Sequence, residues 1–128
     1  MLVAPLKDLD QEMPDPKGHT IGFLSSEDVC DVVVEELIMA GISGSGILVL
    51  SGPTGTELFT RMMKGSLWGE AVEKMLKDGV LALEHGDVIL VVAVEDREQA
   101  LLVAKVAEEH GGRGFNYFGE WTDERLTR

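Results

Sequence analysis

The sequence predicts an α+β domain of ferredoxin-like type: two βαβ units, a four-stranded antiparallel sheet, and a helical insert between the units. Three observations predict it. Four apolar stretches read as strands, at His19–Leu24, Ile47–Leu50, Val88–Val94 and Phe115 to about Trp121. A segment with helical apolar spacing joins the first two, and another joins the last two. The acidic pair Glu27-Asp28 that opens the first helix recurs as Glu95-Asp96 before the second. Strand, helix, strand, repeated once, is the order in which two helices cover one face of an antiparallel sheet.

Residues 1–18 hold three of the four prolines, alternating with acids and lysines, and read as a flexible N-terminal arm before a single domain over 19–128. In the first unit, Ser25 and Ser26 precede Glu27 and Asp28, a polar helix start with acids where the dipole favours them. Val29, Val33, Leu37 and Ala40 carry the apolar stripe, and Gly41 stops the helix. The link 42–46 is rich in Gly and Ser. In the second unit Asp96 and Gln99 form a capping-box pattern, and Ala100, Val103, Ala104 and Ala107 form the stripe. That helix closes at His110-Gly111-Gly112.

The insert, about 57–85, repeats Trp68, Val72, Met75, Leu76, Val80 and Leu83 at three- and four-residue intervals, so it buries one face. Gly65, Gly69 and Gly79 interrupt it and favour two or three short helices over one long helix. The run from Val88 to Val94 does not alternate polar with apolar residues, so both faces of that strand must be covered. The two βαβ helices take one face. The insert, or a second subunit, takes the other.

Composition narrows the function classes. A chain of 128 residues, 45% hydrophobic and 27% charged, is large enough for one core and has no disordered bias. Its formal net charge of −12 disfavours nucleic-acid and membrane-surface binding. The longest apolar run is too short to span a bilayer, and no basic, then apolar, leader is read at the N-terminus. The lone Cys30 fits a reducing cytoplasm. Its acidic neighbours Asp28 and Asp31 argue for a half-buried structural thiol rather than a nucleophile.

Each candidate chemistry has a plainer reading. Ser51-Gly52-Pro53-Thr54-Gly55-Thr56-Glu57 has the glycines of a phosphate-binding turn, but Thr56 and Glu57 stand where a P-loop carries lysine and a hydroxyl. A tight strand-to-helix turn, capped by Thr54 or Thr56, is preferred. His85 and His110 sit in last turns before glycine, where an imidazolium gains from the dipole. With His19 they share no metal-ligand spacing, so no metal, no cofactor and no catalytic residue are assigned. Glu27, Asp28, Asp31, Glu35 and Glu36 read as a solvated helix face.

Four of the seven aromatics fall in Phe115, Tyr117, Phe118 and Trp121. On a strand, Phe115, Tyr117 and Trp121 point to one side and Asn116, Phe118 and Glu120 to the other. Such a stripe packs a core, meets a second copy, or lines a pocket. Phe115, Tyr117 and Trp121 are therefore candidates for a homodimer or larger self-interface, and His110, Asn116, Tyr117 and Trp121 for a pocket between sheet and insert.

Further residues carry a family resemblance. Gly86-Asp87-Val88-Ile89-Leu90-Val91-Val92-Ala93-Val94, His110-Gly111-Gly112, Ser66-Leu67-Trp68-Gly69 and, most specifically, Phe115-Asn116-Tyr117-Phe118-Gly119-Glu120-Trp121-Thr122 resemble small bacterial proteins related to the general stress proteins. The resemblance covers most of 19–128. It implies a ferredoxin-like fold and self-association, and no reaction. The expected function is thus a non-enzymatic, self-associating binding or regulatory module in stress physiology. The alternative is a small-molecule sensor or small enzyme with its pocket between sheet and insert.

Overall fold

The computed structural model describes residues 6, 9–10, 12–64, 69–119 and 123–127. Their elements run β1 (His19–Leu24), α1 (Glu27–Met39), β2 (Ile47–Leu50), α2 (Gly52–Met63), α3 (Glu70–Glu84), β3 (Val88–Ala93), α4 (Arg97–Glu109), β4 (Arg113–Phe118) and β5 (Asp123–Arg125). The chain is α+β, with one five-stranded sheet in the order β2-β3-β1-β4-β5 and every neighbour antiparallel. The expected four strands fall short by one. The last expected strand, Phe115 to about Trp121, is instead Arg113–Phe118, and the polar Asp123–Arg125 adds an edge strand beside it.

The helix ends follow from local chemistry. Ser26 caps α1, its Oγ accepting from the Val29 N–H at 3.2 Å. Asp96 caps α4, accepting from the Gln99 N–H at 2.9 Å, while the Gln99 side chain returns to the Glu95 N–H at 2.9 Å, one residue earlier than the usual box. At the C-termini of α1, α3 and α4, the N–H groups of Ile42, Asp87 and Gly112 return to the carbonyls of Leu37, Ala82 and Ala107. These are Schellman closures, and in two of them the cap residue is a histidine, His85 or His110.

The sheet divides two cores. Under α1 and α4 lie Leu24, Cys30, Val33, Val34, Leu37, Leu90, Val103, Ala107 and Phe115. On the other face α2 and α3 pack Leu58, Phe59, Met62, Met63, Val72, Met75 and Leu83 against Ile21, Phe23, Ile89, Val91 and Phe118. Both faces of β3 are covered within one chain, and the insert supplies the cover that a second subunit was a candidate to supply. Cys30 is fully buried rather than half-buried. Trp68, expected in the insert's stripe, lies outside the described residues.

Two segments read as loop or tail have definite places. The insert begins at Gly52, not Glu57, with Ser51 rather than Thr54 or Thr56 at the N-cap and Pro53 in the first turn, where its missing N–H costs nothing. In the N-terminal arm, the Leu6 N–H donates to the Val49 carbonyl on β2 at 2.9 Å. Arg61 of α2 binds the Leu9 carbonyl, and Leu6 and Met13 pack on the insert-side core.

Candidate functional site

The insert does not cover its face of the sheet evenly. α2 and α3 lie against β1, β2 and β3, and a cleft opens where α3 meets β4 and β5. It consists of two adjoining cavities of about 300 and 250 Å³ that share Phe23, Asp78, Gly114 and Arg125.

Helix periodicity builds one wall. Lys74, Asp78, Leu81 and His85 stand at four-, three- and four-residue intervals on α3, with Met75 and Ala82 beside them. Strand alternation builds the other. Asn116 lies opposite Arg125, and Phe118 opposite Asp123, so Asp123 and Arg125 share the side of β5 that faces the insert. Glu124, between them, faces the α4 side, where both of its carboxylate oxygens accept from Arg97 at 2.8 and 2.9 Å. That hydrogen-bonded pair holds the Glu124 carboxyl below and the Arg97 guanidinium above their ordinary values.

A bulge shapes the floor. Ile21 pairs with Asn116 and Phe23 with Arg113, so the β4 strand carries one residue more than β1 over this stretch. Gly114, at φ 67°, takes up the difference and brings its backbone against the Phe23 ring. On the opposite face the Phe115 ring fills the space above Gly22.

Most charges in the cleft are matched. Lys74 pairs with Asp78 at 2.8 Å, and Arg113 pairs with Asp87 while its guanidinium sits 5.7 Å from the Phe23 ring centroid. The His85 Nδ1–H donates to the Leu81 carbonyl at 2.7 Å, since a carbonyl can only accept. The Arg125 Nε–H donates to the Thr127 carbonyl at 2.7 Å, and among the described residues no carboxylate pairs with it. Asp123 accepts no hydrogen bond among them, and burial pushes its carboxyl pKa up.

The expected pocket residues are not gathered in one place. Asn116 lines the cleft. Tyr117 points to the opposite face, beside Thr20 and Glu124 in the strand register. His110 closes α4 and hydrogen-bonds Glu36 of α1 at 3.1 Å, bridging two helices rather than meeting a ligand set. Trp121 lies outside the described residues, as does Glu120. Phe115, a candidate for a subunit contact, is fully buried in the chain's own core.

The glycine-bearing turn became the first turn of α2. Its approach is occupied by the chain's own charge, because the Ser51 hydroxyl donates to Glu27 at 3.0 Å. The adjacent hollow of about 440 Å³ includes Asp28 and Asp87, a lining that repels phosphate. Of the five acids expected on a solvated helix face, Glu27, Asp28, Glu35 and Glu36 are exposed and Asp31 is half-buried. Among the described residues, no three His, Cys, Asp or Glu side chains are grouped to hold a metal ion, and no helix is long and apolar enough to cross a membrane.

Sequence reasoning missed Asp78, His85, Arg113, Asp123 and Arg125 as neighbours. A signal existed for the helical wall in the spacing of Lys74, Asp78, Leu81 and His85. None existed for Asp123 and Arg125, because β5 has no apolar residue to mark it as a strand. No protein-family profile, curated protein or solved structure matches this chain.

Proposed function

We propose that the chain is a non-enzymatic regulatory module that binds a small molecule in the cleft between α3 and the β4–β5 edge. In this reading the sheet is a ferredoxin-like one extended by a fifth strand, and the insert is the device that turns one of its faces into a binding site. The observation that carries the proposal is the cleft itself. Its cavities of about 300 and 250 Å³ lie at and just below the small end of ligand sites, and they set an apolar strip of Phe23, Met75, Leu81 and Ala82 among eight polar or charged side chains. A binding role is favoured over catalysis because the lining has no hydroxyl or thiol nucleophile, and two of its acids are held in ion pairs. The resemblance to general stress proteins supplies the physiological setting, and the lone buried Cys30 suits a cytoplasmic one.

Self-association belongs to the same reading, through the outer edge of β5. Among the described residues β5 pairs with β4 on one side only, whereas the outer side of β2 receives Leu6.

The cleft is tested by amide chemical-shift mapping of the labelled protein against a library of polar small fragments at millimolar concentration. Shifts should concentrate at Asp78, His85, Gly114 and Asn116. No shifts across the library, or shifts concentrated on the α1 and α4 side, would overturn the proposal.

A further inference from the structure

The charges of the cleft define the kind of molecule it takes. Lys74 and Arg113 are neutralised by Asp78 and Asp87. What remains on the β5 rim is one carboxylate, Asp123, and one guanidinium, Arg125. They project from the same side of the strand at alternate positions, so their backbones are about 6.6 Å apart, twice the rise per residue. They do not neutralise each other, since no ion pair joins them and Arg125 is drawn by its Nε–H toward the Thr127 carbonyl. A guanidinium has five N–H donors, so four are left for a ligand. Asn116, opposite Arg125 in the register, adds both a donor and an acceptor.

A rim with one anion and one cation complements a ligand that carries one of each. An isolated anion would leave Asp123 unmatched, and an isolated cation would leave Arg125 unmatched. Beneath the rim the apolar surface comes mainly from the exposed Leu81, with only the edges of the buried Phe23, Met75 and Ala82 reaching the cleft. The two cavities, about 300 and 250 Å³, suit a single small molecule rather than a nucleotide or a long peptide.

We infer that the cleft binds a free α-amino acid with an apolar side chain, its ammonium on Asp123, its carboxylate on Arg125, and its side chain toward Leu81. This rests on the cleft being a small-molecule site, and the experiment separates the two claims. Titration calorimetry of the full chain would use L-leucine and L-phenylalanine and, for each, the matching acid without the amine, the amine without the carboxylate, and the N-acetyl amide with neither charge. One of the two amino acids should bind, with each analogue about tenfold weaker or more, because each leaves a charge of the rim unmatched. Asp123→Asn should weaken the amino acid to the level of the acid, and Arg125→Gln should weaken it to the level of the amine. Both side chains lie at an exposed edge, and a thermal melt of each variant checks that it folds. Equal binding of the acid and the amino acid would overturn the inference while leaving the cleft a ligand site. So would failure of both amino acids while other fragments shift the cleft amides. Failure of every compound and fragment would overturn both.

Discussion

Cys30 shows how one residue's surroundings set its chemistry. Its thiol is fully buried, and its pKa is pushed up to about 12, first by burial and then by the charges of Asp31 and Glu27. The consequence for stability has a definite sign. The native thiol stays protonated while the unfolded one ionises near its ordinary value of 9.0, so above that pH the unfolded chain releases a proton that the native chain keeps. The contribution is fully present below 9.0 and is lost as pH rises towards about 12. Urea unfolding at several pH values from about 8 to about 11 should therefore show a steeper loss of stability for the native sequence than for Cys30→Ala. Parallel slopes would remove the thiol from the account. The inertness of this cysteine was legible from Asp28 and Asp31 beside it. Its complete burial was not, because Cys30 stood outside the stripe read from Val29, Val33 and Leu37.

At the scale of elements, the insert depends on a close approach rather than on helix propensity. Gly79 was read as an interruption, yet it sits inside α3. A Cβ there would lie 2.2 Å from Cε2 of Phe59, a ring fully buried between α2 and the sheet. Replacing a mid-helix glycine by alanine normally gains about 1 kcal/mol. Overpacking a filled core costs about 1–3 kcal/mol, and here the ring that must give way is fully buried. The cost wins, so Gly79→Ala should destabilise the chain by up to about 2 kcal/mol in urea unfolding, and a gain in stability would show that Phe59 can shift. The α4 stripe of Ala100, Val103, Ala104 and Ala107 matched its reading residue for residue, because three- and four-residue spacing on a surface helix is a local property. The start of α2 was misplaced by reading glycine and proline as turn residues, although serine followed by proline in the first turn is also a helix start. β5 escaped notice because an edge strand is held by its neighbour. Its residues Asp123, Glu124 and Arg125 gain their conformation from pairing with Phe118, Tyr117 and Asn116 and from the Arg97–Glu124 pair.

For the whole molecule, the dry faces of the sheet no longer argue for a second subunit, since one chain covers both. The edge does. Association through β5 would extend the antiparallel sheet and bring two chains of charge −12 together, so repulsion opposes it and salt screens the repulsion. Light scattering across micromolar concentrations should give a mass above one subunit, increasing with moderate salt. A single-subunit mass under all these conditions would end the edge proposal without touching the cleft.

Legible in the local order of residues were the strand cores, the α4 stripe, the two acidic helix starts, the histidine-capped ends and the need to cover both sides of β3. These are matters of periodicity, capping and composition within a few consecutive residues. Packing in three dimensions was needed to show that the insert is the cover, which face of the sheet Asn116 and Tyr117 each meet, and that His110 answers to Glu36. It alone brought Asp78, Arg113 and Arg125 around one cleft from α3, β4 and β5. The physical reason is that a cleft is the place where packing stops. Where α3 runs out of sheet to cover depends on crossing geometry, on the bulge at Gly114 and on an edge strand with no apolar signature, none of which is written into the local order of residues.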